Sequence, residues 1–525
     1  MAQCEVYYYP PRMNAAYFLV DDNANKAPDR VAIYCGDEEI TYGRLRELVD
    51  RLGNGLKELG VSKGDRVLCR FPNRPEAAVS FLAALKIGAI PISSFPFFRE
   101  KETEFVLNNS GATVAIAPIE AVREIDAVRN SCKGLRHVIT VGGAGEGHIS
   151  YEALIESGAP SLEAEDTSRD DLAYLCYSSG TSTGTPKGFP HTHETLICSV
   201  DVTFPALFTV DGRDTVLGTA PFGFAFGLAY LILFPFRLGA GVVYVPEKLT
   251  GERVFQVLEK YRVTVMGTVA PLVHQMTQVQ DAEKRYDLSR LRIVQTGASP
   301  VSQELFEEWT RRFKAELLPG YGLQETIAPL CGCRTGGGRP NVLGKLLPAW
   351  EARILDEEGH EAPAGQPGVQ WLRVGRSLAP YYWNDPARTA ASYKDGWFNT
   401  GDVVWQDEEG YMRFVGREDD VIKTSGWAIS PIEIEQGLLS HPAVLEAAVV
   451  GIADPVKGQV PVAAVVLRSS HSKLSNEEIQ SKLQRHIKAR LAPFKCPKEI
   501  RVWQALPKTP TEKVIRSKVR EDWLR

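Results

Sequence analysis

From about residue 30 to about residue 320 the chain alternates between two patterns, and that alternation limits its fold more than any other feature. The short β-branched runs "RVAIY", "RVLCRF", "ATVAIAP", "HVITVG" and "VTVMGTV" have the length and composition of buried strands. Helical stretches lie between them. In "TYGRLRELVDRLGNGLKELG", Leu45, Leu48, Leu52, Leu56 and Leu59 recur at helical spacing, with Thr41 placed to cap the start and Gly60 to end the run. Strand, helix and strand in repeated order predict parallel or mixed sheets covered by helices.

Near residue 340 the pattern changes. "GKLLPAWEARILDEEGHEAPAGQPG" and "GVQWLRVG" read as short strands joined by Gly/Pro turns. After "YMRFVGREDD" strand and helix segments return, in "AVLEAAVVGI", "VPVAAVVL" and "NEEIQSKLQRHIKARL". A chain of 525 residues is too long for one core. We place a boundary at 416–420, giving domains 1–416 and 417–525.

Bulk properties narrow the function. A net charge of −5 gives no reason to expect a nucleic-acid or acidic-membrane partner. The most apolar stretch, 227–245, is broken by Pro235 and Arg237, and Lys86 interrupts the run 77–92. Neither supplies the ~20 apolar residues of a membrane helix. The N-terminus has no apolar core of signal-peptide length. The nine cysteines are scattered, and Cys331 and Cys333 lack a second pair at zinc spacing, so reduced thiols are expected. These features predict a cytoplasmic protein with no membrane and no nucleic-acid partner.

One loop carries chemistry. "YSSGTSTGTPKG", 177–188, holds six Ser or Thr residues, three glycines and a lysine. Glycines let backbone amides approach an anion, while hydroxyls and Lys187 add donors and charge. The preceding "LAYLCY" reads as a buried strand, so the loop lies at a strand's carboxyl end, where open α/β sheets bind ligands. It is no Walker loop, because Lys187 stands between Pro186 and Gly188 rather than between Gly and a hydroxyl residue. A flexible linker is the plain alternative.

With this loop and the motifs that follow it, the sequence resembles the adenylate-forming superfamily of acyl- and aryl-CoA ligases, peptide-synthetase adenylation domains and luciferases. "GYGLQET" (320–326), "GWFNTGD" (396–402), "GREDDVIKTSGWAISPIEIE" (416–435) and "LPKTPTEKVIR" (506–516) follow in the family's order across nearly the whole chain. The resemblance implies an α/β fold: a large N-terminal domain of helix-covered mixed sheets with a β-barrel-like subdomain, and a small mobile α+β C-terminal domain. It implies ATP, Mg2+ and coenzyme A, and a reaction in which a carboxylic acid becomes an acyl-adenylate and then a thioester.

The resemblance also implies roles. Ser178, Ser179, Gly180, Thr181, Ser182, Thr183, Gly184 and Lys187 would wrap the β- and γ-phosphates. Lys513 would bridge the carboxylate and the α-phosphate, and Glu325 would hold Mg2+. Gly297, Ala298 and Ser299 would line the adenine, with Gly320, Tyr321, Gly322 and Gln324 beside it. Asp402 would accept the ribose hydroxyls, and Arg417 would reach ribose or phosphate. Asp419 falls at the hinge, and Lys423, Ser425, Gly426 and Trp427 on the thiol side. Read alone, Lys513 and Arg417 are surface charges, Asp402 a turn aspartate, Glu325 a helix-start acid and Tyr321 a packed turn residue.

The acid pocket maps to "APFGFAFGL", 220–228. No Asp or Glu lies between Gly218 and Phe236, so a substrate ammonium has no partner there. Phe224, Ala225, Phe226 and Gly227, with Gly297 and Gly322, offer aromatic and small walls suited to a flat apolar acid. Core packing is the plain alternative for two of the three phenylalanines at 222, 224 and 226. "FAFGL" resembles the benzoate-CoA ligase branch, which favours a benzoate or aminobenzoate type of acid. Medium-chain fatty acids, and a carrier-protein thiol in place of CoA, are the competing readings. A weakened nucleotide-binding relative is the reading outside enzymes. The protein is expected as a monomer or homodimer.

Three places depart from the family. Gln324 replaces a Thr near the α-phosphate, predicting altered phosphate contacts. Glu512 replaces a Gly beside Lys513. The glycine loop is one residue longer between Gly180 and Gly184, so Thr181 and Ser182 share the assignment of the phosphate hydroxyl.

Overall fold

Each β-branched run becomes a strand: Val31–Cys35, Arg66–Arg70, Val114–Pro118, His137–Val141 and Val265–Val269. They are seen in a computed structural model that describes residues 8–178, 186–424, 427–468, 476–508 and 514–525. The leucine-spaced run forms the helix Tyr42–Glu58, and Thr41 Oγ1 accepts the Arg44 N–H at 3.2 Å. Gly60 follows at φ +79°, a conformation that a Cβ disfavours and that ends helices. The described residues divide into two units. The first takes residues up to 178, 186–351 and 373–396, and the second takes 352–372 and 397 onward.

The first unit holds two parallel arrays. One sheet runs in the order Ile90–Ser94, Arg66–Arg70, Val114–Pro118, His137–Val141 and Ile149–Ser150, all parallel. The other contains five parallel strands in the order Gly241–Val243, Thr215–Gly218, Val265–Val269, Ile293–Gly297 and Glu316–Tyr321. Register explains its core. Val243, Leu217, Met266, Val294 and Leu317 pair in sequence across these strands and form one row. That row packs on Val254, Phe255, Val273, Met276, Leu305 and Trp309 from the helices Gly251–Lys260, Ala270–Thr277 and Gln303–Arg312. The preceding residues Val242, Val216, Val265 and Ile293 are buried on the opposite face. Burial on both faces is why these strands read as unbroken apolar runs, each large side chain contributing about 2 kcal/mol. Because the strands are parallel, Gly218, Val269, Gly297 and Tyr321 all finish at one edge.

The strand before the glycine loop departs from this scheme. Leu172–Tyr177 pairs antiparallel with Gly188–Thr192, in register from Tyr177 opposite Gly188. The loop therefore closes a two-stranded hairpin and not a strand-to-helix turn. Pro186 precedes the second strand, and "GFPHT" lacks the helical period a crossover would need.

In the second unit, Ala352–Leu355 pairs with Gly368–Arg373 and Trp397–Gln406 with Tyr411–Arg417, all antiparallel. The expected barrel-like subdomain takes the form of an open sheet; no barrel closes among the described residues, and Ala352–Leu355 stays an edge. The last sheet is built on the hairpin Val444–Asp454 and Gly458–Leu467, with Ile500–Val502 added in parallel. Alternation sorts its two faces. Ala447, Val449, Ala463 and Val465 meet Ile434, Leu438, Ile479 and Leu483 of the helices Pro431–Leu439 and Asn476–Lys488. Ala448, Val450, Val462 and Ala464 meet Leu506, Val519 and Trp523.

Candidate active site

In the first unit the candidate residues follow from the shared strand edge. Phe224–Gly227 come after Thr215–Gly218, Gly297–Ser299 end Ile293–Gly297, and Tyr321–Glu325 leave Glu316–Tyr321. Two of these exits are strained in the same way. Ser299 N–H donates to the Gly297 carbonyl at 2.8 Å around Ala298 at φ +65°, and Ala328 N–H donates to the Thr326 carbonyl at 2.6 Å around Ile327 at φ +59°. A β-branched residue in that region is a true outlier, and such strain gathers at functional sites. Both are tight three-residue turns, one ending at Ser299 and the other beginning just after Glu325.

Glu325 is held from two sides. The Tyr382 hydroxyl donates to its Oε1 at 3.3 Å, and the Ala379 N–H donates to its carbonyl at 2.8 Å. Burial first, then the Glu325 carboxylate, push the Tyr382 phenol well above its ordinary value, so it stays a donor. Tyr321 closes its strand opposite Cys331, and its carbonyl accepts the Leu330 N–H at 2.8 Å. Gly320 and Gly322 sit in tight places: a Cβ would lie 3.0 Å from Gln295 Nε2 and from the Ala328 carbonyl, respectively.

The pocket turn is equally tight. Phe222 is fully buried against Phe81, as core packing. Phe224 and Phe226 are only partly buried. Phe224 tilts against Phe95 at 4.5 Å between ring centroids, and Phe95 stacks on Phe97 at 4.8 Å. The Phe226 ring lies over Gly297, whose Cβ would meet it at 3.3 Å. At Gly227 a Cβ would fall 2.0 Å from the Pro221 carbonyl, which no other residue could tolerate. Gln324 joins this turn to the Glu325 loop: its Oε1 accepts the Ala225 N–H at 2.7 Å.

The neck of the glycine loop is closed by two bonds. Ser178 N–H donates to the Lys187 carbonyl at 2.9 Å, and Lys187 N–H donates to Ser178 Oγ at 3.2 Å. Asp385 is held below its ordinary carboxyl range, first by the Arg388 N–H and also by the nearby Lys187 charge. Ser179, Gly180, Thr181, Ser182, Thr183 and Gly184 lie outside the described residues, as do Ser425, Gly426, Glu512 and Lys513.

In the second unit Asp402 is buried opposite Arg417 in strand register. Arg417 Nη1 donates to Asp402 Oδ1 at 2.6 Å and to the Thr400 carbonyl at 3.0 Å. The pair orients one carboxylate oxygen, and half of the Arg417 side chain remains open to solvent. Asp419 sits in the exposed turn that follows. Lys423 is exposed and pairs with Glu357 at 2.7 Å. Trp427 is 61% exposed and stacks on Phe494 at 5.4 Å, an open aromatic face unusual for so large a side chain. Tyr382, Phe95 and Phe494 were not visible as site residues in the sequence, since each reaches its partner through the fold and not through a local motif.

The chemistry available in the first unit is that of a carboxylate loop hydrogen-bonded to an aromatic turn. The Glu325 carboxylate, with no cluster of three His, Cys, Asp or Glu among the described residues, suits Mg2+, which takes one or two carboxylates and fills its shell with phosphate oxygens and water. Residues 20–383 match the AMP-binding enzyme family and residues 433–513 match the AMP-binding enzyme C-terminal domain. The benzoate–CoA ligase of Thauera aromatica is 34% identical, over 97% of this chain and 96% of its own. An acetyl-coenzyme A synthetase of Bacillus subtilis (strain 168) is 33% identical, over 96% and 90%. Among solved structures, the anthranilate CoA ligase AuaEII in complex with anthranoyl-AMP superposes with a TM-score of 0.90 at 29% identity, covering 98% of each chain. A benzoate CoA ligase from Burkholderia xenovorans LB400 gives 0.86 at 30%, over 97% and 100%.

Proposed function

Because the chain belongs to the AMP-binding enzyme family, we propose from its site that it activates an aryl carboxylic acid and passes the acyl group to coenzyme A. The protein is an AMP-forming acid–CoA ligase that uses ATP, Mg2+ and CoA. A carboxylate oxygen of the acid attacks the α-phosphorus of ATP, the bond to the β-phosphate breaks, and pyrophosphate leaves. The thiolate of CoA then attacks the acyl carbon of the adenylate and AMP departs with the bonding electrons.

The first step joins an anion to a polyanion, so oriented positive charge is what it needs. Lys187 and the hydroxyls at 178, 179, 181, 182 and 183 are proposed to cradle the phosphates, with the backbone of Gly180 and Gly184. Lys513 is proposed to bridge acid and α-phosphate. Glu325, aimed by Tyr382, would hold Mg2+, which when bound offsets phosphate charge. The backbone around Gly297 to Ser299 and Gly320 to Gly322, with Tyr321, would take the adenine. Asp402, oriented by Arg417, would accept the ribose hydroxyls. Residues 417–525 are proposed to move about Asp419 between the two steps. Lys423, Ser425, Gly426 and the exposed Trp427 would then meet the thiol.

The observation that carries the aryl reading is the turn 224–227. It presents Phe224 and Phe226, contains no carboxylate, and is bonded to Gln324, the residue next to Glu325. An aromatic wall tied to the Glu325 loop suits a planar ring whose carboxylate sits directly on it. The benzoate and anthranilate ligases among its relatives support the same class. No described helix is long and apolar enough to cross a membrane, and we place the enzyme in the cytoplasm as a monomer or homodimer. Pyrophosphate exchange with ATP, Mg2+ and a panel of acids tests this: benzoate and aminobenzoates should exchange fastest. Exchange confined to medium-chain fatty acids would overturn the aryl assignment, and transfer to a carrier protein but not to CoA would overturn the acceptor.

A further inference from the structure

Gln324 breaks the family's pattern at a position implied to face the nucleotide, yet its side chain is engaged elsewhere. Its Oε1 accepts the Ala225 N–H at 2.7 Å and faces the Cys176 thiol at 3.4 Å. Burial pushes that thiol up to about 12, so Cys176 stays protonated and donates. The Gln324 carbonyl accepts from His191 Nε2 at 3.1 Å, and His191 is fully buried and stacked on Tyr174. Main chain and side chain are thus fixed separately.

Ala225 is the first residue of the short helix Ala225–Leu228. Its N-cap position is Phe224, which makes no side-chain cap bond. A helix start leaves amides without partners, and an N-cap normally supplies an oxygen to one of them. Phenylalanine cannot. Gln324 supplies an acceptor to the first amide from the neighbouring loop instead. A threonine there carries its hydroxyl on Cβ, too near the backbone to reach where the Gln324 amide reaches.

We propose that Gln324 is a specificity-determining positioning residue for the acid. It caps the Phe224–Gly227 turn from outside, and so fixes the pocket's aromatic wall relative to Glu325, its neighbour in sequence. This rests on the acid-ligase reading and deepens it. The rest of the turn is already locked, with Gly227 against Pro221 and Phe226 against Gly297. Phe224 is held within the turn as well, its N–H donating to the Pro221 carbonyl at 3.0 Å and its carbonyl accepting from the Leu228 N–H at 2.8 Å. What the Gln324 bond adds is a tie between that turn and the Glu325 loop.

The test compares Gln324→Ala, Ala225→Pro and the double variant in the full-length enzyme, after pyrophosphate exchange has shown which aryl acid the unaltered enzyme activates. Gln324→Ala leaves the Ala225 amide buried without a partner, and the acid KM should rise about 10-fold. The ATP KM should stay within about 2-fold, because the amide serves the pocket turn. Ala225→Pro removes the donor. Proline suits a first helical position, and Phe224 at φ −92°, ψ 148° already has the extended conformation that a following proline requires. With Gln324 present, the new ring meets the amide and the acid KM should also rise. The double variant has neither the unpaired amide nor the clash, and its acid KM should return most of the way to that of the unaltered enzyme. Additive losses, or an ATP KM that rises while the acid KM does not, overturn the proposal. If the unaltered enzyme activates no aryl acid, the functional reading falls first and independently. Thermal melting of each variant confirms that a folded enzyme is being measured.

Discussion

Two buried histidines tie the first unit's stability to pH. Burial lowers His191 to about 3 and His193 to about 4, from an ordinary 6.5. Both are therefore neutral when folded and protonated when unfolded at mildly acidic pH. Their contribution is complete above 6.5 and is lost progressively as pH falls through 4 toward 3. At pH 5 His193 alone should weaken the fold by about 2 kcal/mol relative to pH 7.5. His193→Gln should then flatten the dependence of the melting temperature on pH between 7.5 and 5, and an unchanged slope would tell against it. Legibility at this scale was uneven. The absence of an acid in 219–235 and the motif glutamate were plain in the sequence. The reach of Gln324, the strain at Ala298 and Ile327, and the Tyr382 bond to Glu325 were not. Each depends on which strand exits share an edge, and no local spacing encodes that.

At the scale of elements, a buried ion pair anchors the C-terminal helix. Arg516 Nη2 donates to Glu435 Oε2 at 2.7 Å, and Glu435 Oε1 also accepts the Val449 N–H at 2.9 Å. Arg516 begins the helix Arg516–Leu524, while Glu435 lies in Pro431–Leu439, so the pair ties the start of that helix to Pro431–Leu439, beside the packing of Val519 and Trp523 and an Arg516–Asp420 contact at 3.6 Å. Glu435→Ala should destabilise the protein by about 3 kcal/mol, because it leaves a mostly buried guanidinium with the more distant Asp420 in place of its main partner. Adding Arg516→Leu should recover part of that loss. Chemical denaturation of the unaltered protein and the two variants measures it, and equal stability of the single and double variants would deny the pairing. Helices and buried strands were legible because periodicity reflects burial directly. The hairpin Leu172–Tyr177 and Gly188–Thr192 was not, since a buried strand looks the same in the sequence whether its partner runs parallel or antiparallel.

For the molecule as a whole, a single active site has to serve two reactions with different charge requirements. Lys513→Ala should remove adenylate formation, by at least about 100-fold, while sparing thioester formation from supplied acyl-adenylate. Equal loss in both steps would refute the assignment of Lys513 to the first. The order of motifs is what suggests this division of labour, and the residues of 352–372 and 397 onward are described within their own unit. The hairpin neck at Ser178 and Lys187 has one more implication. Its register and its two closing bonds are complete before the glycine loop begins, so residues gained or lost inside the loop do not shift either strand. Loop length and strand pairing are therefore separable in design: removing one residue within 181–182 should leave the melting temperature of the protein nearly unchanged, and a large drop would show that the loop supports the scaffold.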